Sequence, residues 1–468
     1  MSTNITKIGI TNDKISGRGG LPLFLRYIKS IGLYNLISGA ILSLLSLGGK
    51  GLGLPQFLKQ MFAFFMDGTD MSISGFDNKK KDEGYAALLE NKTKEMASSH
   101  QIKRFFIKIS IVSNFIFNKI LNELFIWRLK ITMPKIIVLG IDTMVMDNDD
   151  AKKREGNEPT YKRKKGFQPL HICWGPFLID VLFRKGSAHS NHGTDYIDRV
   201  NAIVKLIRKR YSKDVPILIC ADSGFADQKA YTEFEENLGI HYITTGKIYE
   251  DIKGYVREIP VENYGEISKN KAIWNFVEFG NKLQSWSKFR RCIFTKLHRD
   301  ENGQYVMDFG KPNNVIYTNI GLCKEADERL MAAGGERYFK TEIIIQTCLT
   351  GRQASHERGA DELIHRSIKE LATKEQLPFK KFGMNRAYYF LLVISHFLFE
   401  AYKQDVCSDV LPITVYPNTF RRKLIDFAAK ITSGAGSITL KVTQTIYETI
   451  NIVELWKRCQ SPPEIKFA

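Results

Sequence analysis

The chain has 468 residues, with 68 Lys and Arg against 50 Asp and Glu, a net charge of +18 and a pI near 9.4. Such a length predicts two to four structural units around a substantial core, and the positive excess is more than solubility needs and suits a large polyanionic partner. Seven scattered cysteines without a CxxC pair argue against a zinc module and a disulfide framework, and the longest apolar stretch, Tyr388–Phe399, is too short for a membrane span and reads as a buried helix.

The N-terminal segment MSTNITKIGITNDK lacks the apolar core of a secretory leader, and a reducing cytoplasm is the expected setting. Residues 20–130 are predicted mainly helical, with amphipathic stretches at Leu21–Ile37, Leu54–Phe65 and Ile102–Leu129. Ser98–Phe106 fits the start of a helix-turn-helix recognition element and equally a structural bundle. Positive charge is dispersed, in Lys79-Lys80-Lys81 and in Tyr161-Lys162-Arg163-Lys164-Lys165. Each run also reads as a solvated loop, but a phosphate backbone rewards dispersed cations through counterion release.

From Lys135 the pattern predicts a strand to Asp142, strands near Phe167–Trp174 and Phe177–Phe183, and a helix over Thr194–Tyr211. A strand from Pro216 to Asp222, a helix over Ala226–Leu238 and a strand over His241–Thr245 follow. The first and fourth of these strands are nearly continuous apolar runs, as burial on both faces requires, and each stops at an aspartate. An aspartate there also opens a turn. Carboxylates at the ends of neighbouring central strands, however, converge at one sheet edge and repel unless a hard divalent cation neutralises them. The histidines of His189-Ser190-Asn191-His192 lack further partners and are left out of any metal site.

After Thr245 roughly a hundred residues alternate in β fashion, as in Ala272–Phe279 and Arg291–Thr295. The 140 residues from Asp222 to Glu362 exceed a simple connection, so an extra β domain is expected between them. Gln353–Leu371 then reads as a helix with Ala360, Leu363, Ile364, Ile368 and Leu371 on its core face. Opposite them Ser355, Arg358, Glu362 and Lys369 share a stripe about 60° wide. Asp361 and Glu357 point about 100° and 140° away from it.

The spacing Arg358-x-x-x-Glu362-x-x-x-x-x-x-Lys369 resembles the Tyr-x-x-Arg-x-x-x-Glu-x-x-x-x-x-x-Lys signature of DDE transposases of bacterial insertion sequences. Ser355, with His356 beside it, stands where that family has tyrosine. Other blocks follow in the family's order: Gly140-Ile141-Asp142-Thr143, Gly166-Phe167-Gln168-Pro169-Leu170, Arg184 to Ser190, and Ala221-Asp222-Ser223-Gly224-Phe225. The resemblance implies an α/β fold: a ribonuclease H-like mixed sheet core with a β-rich insertion domain and an N-terminal helical domain. Its expected boundaries are 1–130 for the helical DNA-binding region, 131–248 and 341–405 for the two parts of the core, and 249–340 for the insertion. Residues 406–468 form a C-terminal region with dimerisation as its candidate role.

By the same resemblance, Asp142, Asp222 and Glu362 are the catalytic metal ligands for Mg²⁺, with Mn²⁺ as substitute, in a two-metal site with ions roughly 4 Å apart. The expected partner is double-stranded DNA, both terminal inverted repeats and target, gripped by a dimer without membrane involvement. The expected reaction is cleavage at the element ends followed by transfer of the 3′-OH strands, in a bacterial cytoplasm and at the nucleoid. Arg358 and Lys369 are expected on phosphates beside the scissile bond, with Lys164, Lys165, Trp286 and Arg290 as further DNA contacts. Trp274 and Trp286 are candidate stacking platforms for a flipped base, or core residues. Two other readings stay open: a DNA-binding repressor that has lost cleavage, and a ribonuclease H-like nuclease without strand transfer.

Overall fold

Nine strands form the largest sheet of the computed structural model, which describes residues 4–42, 52–151, 153–188, 194–269, 271–306, 313–348, 359–372, 376–434 and 437–465. The chain divides into two compact units, Met1–Ile120 with Ser367–Ala468, and Leu121–Arg366.

In the second unit the strands of the large sheet are β1 (Ile137–Thr143), β2 (Leu170–Trp174), β3 (Phe177–Leu182), β4 (Ile217–Ala221) and β5 (His241–Gly246). They are followed by β6 (Gly265–Lys269), β7 (Ala272–Asn281), β8 (Arg290–Arg299) and β9 (Asn314–Thr318). Across the sheet the order is β6-β7-β8-β9-β5-β4-β1-β2-β3. β1 runs parallel to β4, and β4 to β5, while every other pairing is antiparallel. The parallel strands are the apolar runs of the sequence, since both of their faces must be covered. Leu218, Cys220, Ile243, Ile293 and Ile316 share one cluster with Ile344, Ile345 and Cys348 of the helix Thr341–Cys348. The helix Asp195–Arg210 buries Tyr196, Val200, Ile203 and Ile207 and is tied to β3 by Arg199 on the buried carboxylate of Asp180.

Residues 249–340, expected as an extra β domain, supply β6–β9, and these extend the central sheet. β9 pairs with β5, Ile316 opposite Thr245, so the inserted strands continue the sheet that carries Asp142 and Asp222. An edge of β5 left open would be a row of unpaired backbone groups, and β9 covers it. The helix expected over Ala226–Leu238 is split into an α turn, Gln228–Thr232, and a π turn, Glu233–Leu238, stopped by Gly239 at φ 57°.

The first unit gathers both ends of the chain: Lys14–Ser16 pairs with Ala429–Gly434, which pairs with Ser437–Lys441. Helices Leu21–Ser30 and Leu54–Asp67 carry the amphipathic faces read from the sequence, the latter ended by Gly68 at φ 68°. Ser98 and Gln101 form a capping box on the helix Ser99–Ser110, whose Ile102, Phe105, Phe106 and Ile109 are buried while Lys103, Arg104 and Lys108 are exposed. Phe382–Tyr402, holding the longest apolar stretch, is a helix buried from Ala387 to Tyr402. Among the described residues no single helix is long and apolar enough to cross a membrane. Arg421 is a keystone of this unit, donating to the carbonyls of Met66 (2.9 Å), Phe65 (2.7 Å) and Glu370 (3.0 Å).

Candidate active site

The parallel pairing of β1 with β4 sets Ile141 beside Ala221, so Asp142 and Asp222 are the next residues along both strands. Alternation then sends both carboxylates to the face that carries Val138, Leu218 and Cys220, at the carboxyl edge of the sheet. Each is oriented by its own chain. The Thr143 amide donates to Asp142 Oδ1 at 2.7 Å, and the Gly224 amide donates to Asp222 Oδ1 at 2.8 Å. Backbone donors of this kind fix the direction in which a carboxylate points. The Asp142 side chain remains 30% exposed, enough for a ligand to reach it.

The acidic helix, Gly359–Leu371, carries Glu362, whose side chain lies outside the described residues. His365, three residues further on, is described: its Nδ1 lies 3.8 Å from Asp142 Oδ2. Its ring meets that of His171 edge-on at 5.2 Å, and His171 is the cross-strand partner of Asp142 on β2. The turn of helix that carries Glu362 therefore begins one turn away from a residue in reach of Asp142. On the same helix Ile364, Ile368 and Leu371 are buried as expected, but Leu363 is 42% exposed. Lys369 is half-buried in the last turn, and Ser355, His356 and Arg358 lie outside the described residues, as do His189 to His192.

Just after β1 the chain forms a small side sheet of Met146–Asp147, Lys165–Phe167 and Glu158–Pro159. The turn between its last two strands is the basic run: Thr160 and Lys164 are joined backbone to backbone at 2.9 Å, and Arg163 takes φ 60°. Lys164 pairs with Asp147 at 2.6 Å yet stays 60% exposed, and Lys165 is exposed. Burial, then the charges of Asp142 and Asp222, raise the Tyr161 phenol above its ordinary value. Tyr161 is 60% exposed, and both carboxylates act on it electrostatically.

Two expected DNA contacts are corrected. Arg290 is buried, its Nε 3.1 Å from Glu235 Oε1 and 3.1 Å from the Tyr242 hydroxyl, and its Nη1 3.0 Å from Gln228 Oε1. Its guanidinium lies over the rings of Tyr231 and Trp286, at 4.9 and 4.8 Å. Trp286 is 5% exposed and packs edge-on against Tyr231 and Tyr317. A cation and an aromatic enclosed in this way have no face left for a phosphate or a base. Arg291 is likewise engaged, with Glu278, Thr341 and the Ile320 and Phe339 carbonyls, while Trp274 packs on the core cluster.

His365, His171 and Tyr161 were not singled out from the sequence. One signal was available: His365 falls about 60° from Glu362 around the helix, about 20° beyond the Arg358 edge of the charged stripe.

Among the described residues no group of three or more His, Cys, Asp or Glu side chains stands ready around a single point. No curated protein matches the chain. Among solved structures, one similar to it is the cryo-EM structure of the piggyBac transposase synaptic complex with hairpin DNA, at 13% identity over 87% of this chain and 79% of that one, with a TM-score of 0.39. The family Transposase DDE domain group 1, a class that generally uses divalent metal ions, matches residues 7–461. That match spans nearly the whole chain, which therefore belongs to this family and is a DDE-type DNA transposase.

Proposed function

We propose that the protein is the transposase of a bacterial insertion sequence, of the Tyr-Arg-Glu-Lys subgroup, which binds the terminal inverted repeats, cleaves there and joins the freed 3′-OH strands to target DNA. The observation that carries this reading is the placement of Asp142 and Asp222 at the carboxyl ends of adjacent parallel strands, pointing to one face. Strand order β3-β2-β1-β4-β5, with only the last two steps parallel, is the arrangement expected of a ribonuclease H-like core.

The donor set fits a hard divalent cation such as Mg²⁺, with Mn²⁺ in its place, because carboxylate oxygens are the available ligands and both aspartates are already oriented by amides. Asp142, Asp222 and Glu362 would hold it. What bound metal supplies is Lewis-acid activation of the attacking water and relief of charge on the departing 3′ oxygen. The protein's own residues position the DNA. Lys164, exposed on the turn of the side sheet, and Lys165, exposed at the start of the strand that follows it, neutralise backbone phosphate beside the carboxylates. Arg358 and Lys369 are assigned to phosphates at the transferred end, from the signature alone.

Joining two ends requires two copies of the chain. The exposed edge strand Ser437–Lys441, with Ile438 64% exposed, is a surface in the C-terminal region suited to such pairing. The experiment is to incubate the purified protein with the flanking ends of its own element, a target plasmid and Mg²⁺, and to map the strands. Cut ends covalently joined to target support transposition. Cut ends that never join indicate a nuclease, and binding without a cut indicates a repressor.

A further inference from the structure

Asp142 is the better braced of the two aspartates, and the second brace comes from a residue outside the acidic triad. Its Oδ1 accepts from the Thr143 amide at 2.7 Å, while its Oδ2 faces His365 Nδ1 at 3.8 Å. The imidazole is itself confined. His171, fully buried on β2, lies opposite Asp142 in the strand register and meets the His365 ring at 61° with centroids 5.2 Å apart. Only 15% of the His365 side chain is exposed. A ring held between a strand and its own helix has few other directions to point.

We infer that His365 is a positioning residue for Asp142, donating to its second carboxylate oxygen and so setting the direction in which that carboxylate meets a divalent cation. This rests on the reading of Asp142 as a metal ligand. A separation of 3.8 Å is beyond a hydrogen bond and within ion-pair reach, and closing it by about 1 Å makes the bond. Contacts of this kind are commonly long before ligand and substrate are bound and tighten in the complex. His365 also ties the acidic helix to β1, because it lies one helical turn from Glu362. One contact thereby sets both the direction of one carboxylate and the approach of the helix that bears another. Partners that orient a metal-bound carboxylate typically govern metal affinity by 10–100-fold, which is the size of effect to look for.

The test uses full-length protein without DNA, with Mn²⁺ as the probe and its free concentration read by electron paramagnetic resonance. His365→Phe keeps a ring against His171 and removes the donor, whereas His365→Asn keeps a donor and removes the ring. The Phe variant is expected to bind Mn²⁺ about 10–100-fold more weakly, and the Asn variant to recover most of that loss. Cleavage by the Phe variant should return at raised Mg²⁺, with DNA-end binding unchanged. Phe binding Mn²⁺ like the wild type, or Asn failing as badly as Phe, overturns the inference. Asp142→Asn separates the two levels. If Asp142→Asn loses Mn²⁺ while His365→Phe retains it, the positioning role is wrong and the carboxylate site stands. If Asp142→Asn binds like the wild type, or the wild type has no measurable affinity, the carboxylate reading fails and the inference with it.

Discussion

Replacing Arg290 by methionine removes a buried cation while keeping most of its length, and the structure sets the size of the consequence. The Arg290 and Glu235 side chains are 1% and 4% exposed and 3.1 Å apart, so the substitution strands a carboxylate in the interior. An exposed pair is worth only about 0.2–1 kcal/mol, but breaking a buried one costs about 3–5 kcal/mol because the surviving charge is left unsolvated. Lys288 remains 2.7 Å from Glu235 Oε2 and offsets part of this, which puts the loss at the lower end, about 3 kcal/mol. For a unit of this size that lowers the melting midpoint by about 6–12 °C. The assay is thermal melting paired with a salt titration of DNA binding. A core role predicts a lower midpoint and an unchanged salt slope. A stable variant whose slope falls by about one unit would show Arg290 on a phosphate and refute the burial argument.

Lys164→Ala and Lys165→Ala should each reduce the salt slope of end binding by about one unit and leave metal dependence alone; unchanged slopes would make this turn a solvated loop. Glu400 is pushed up to about 7 by burial, against the opposing pull of Lys403. A carboxyl raised in the fold keeps its proton there, so its stabilising contribution is full below its ordinary 4.5 and is lost as pH rises through about 7. Glu400→Gln, which mimics the protonated form, should therefore gain in melting temperature over the wild type as pH climbs through that window. A constant deficit at every pH would show Glu400 ionised throughout. Gly166→Ala should loosen the side sheet after β1, since its Cβ would sit 2.1 Å from the Met146 carbonyl oxygen; wild-type melting and cleavage would contradict that crowding.

Much of the central sheet is visible in the sequence because a strand buried on both faces is written locally, as the apolar runs ending at Asp142 and Asp222 are. Their adjacency is not local. It follows from β1 pairing parallel with β4, which the block order suggested and composition could not. The insertion shows the same limit. Alternation identified strands around Ala272–Phe279 and Arg291–Thr295, but whether they form their own sheet or join another depends on β9 meeting β5, a pairing of residues 71 apart in Ile316 and Thr245. Arg290 and Trp286 were misread for a related reason: basic and aromatic residues at a turn look alike whether they meet DNA or a buried glutamate 55 residues earlier. His365 and His171 carry no spacing signal toward each other, because one lies on a helix and the other on a strand. Leu363 fits the apolar stripe by angle yet is 42% exposed, since periodicity assigns a face without saying how far the covering layer extends.

The proposed reaction centre of Asp142, Asp222 and Glu362 is tested by strand mapping of element-end cleavage in Mg²⁺ by Asp142→Asn, Asp222→Asn and Glu362→Gln, each paired with an end-binding assay. All three variants are expected to bind the ends like the wild type and cut neither strand, while Asp361→Asn still cuts. Cleavage retained by any of the three removes that residue from the centre, and a dead Asp361→Asn beside a live Glu362→Gln would move the third acid one position along the helix.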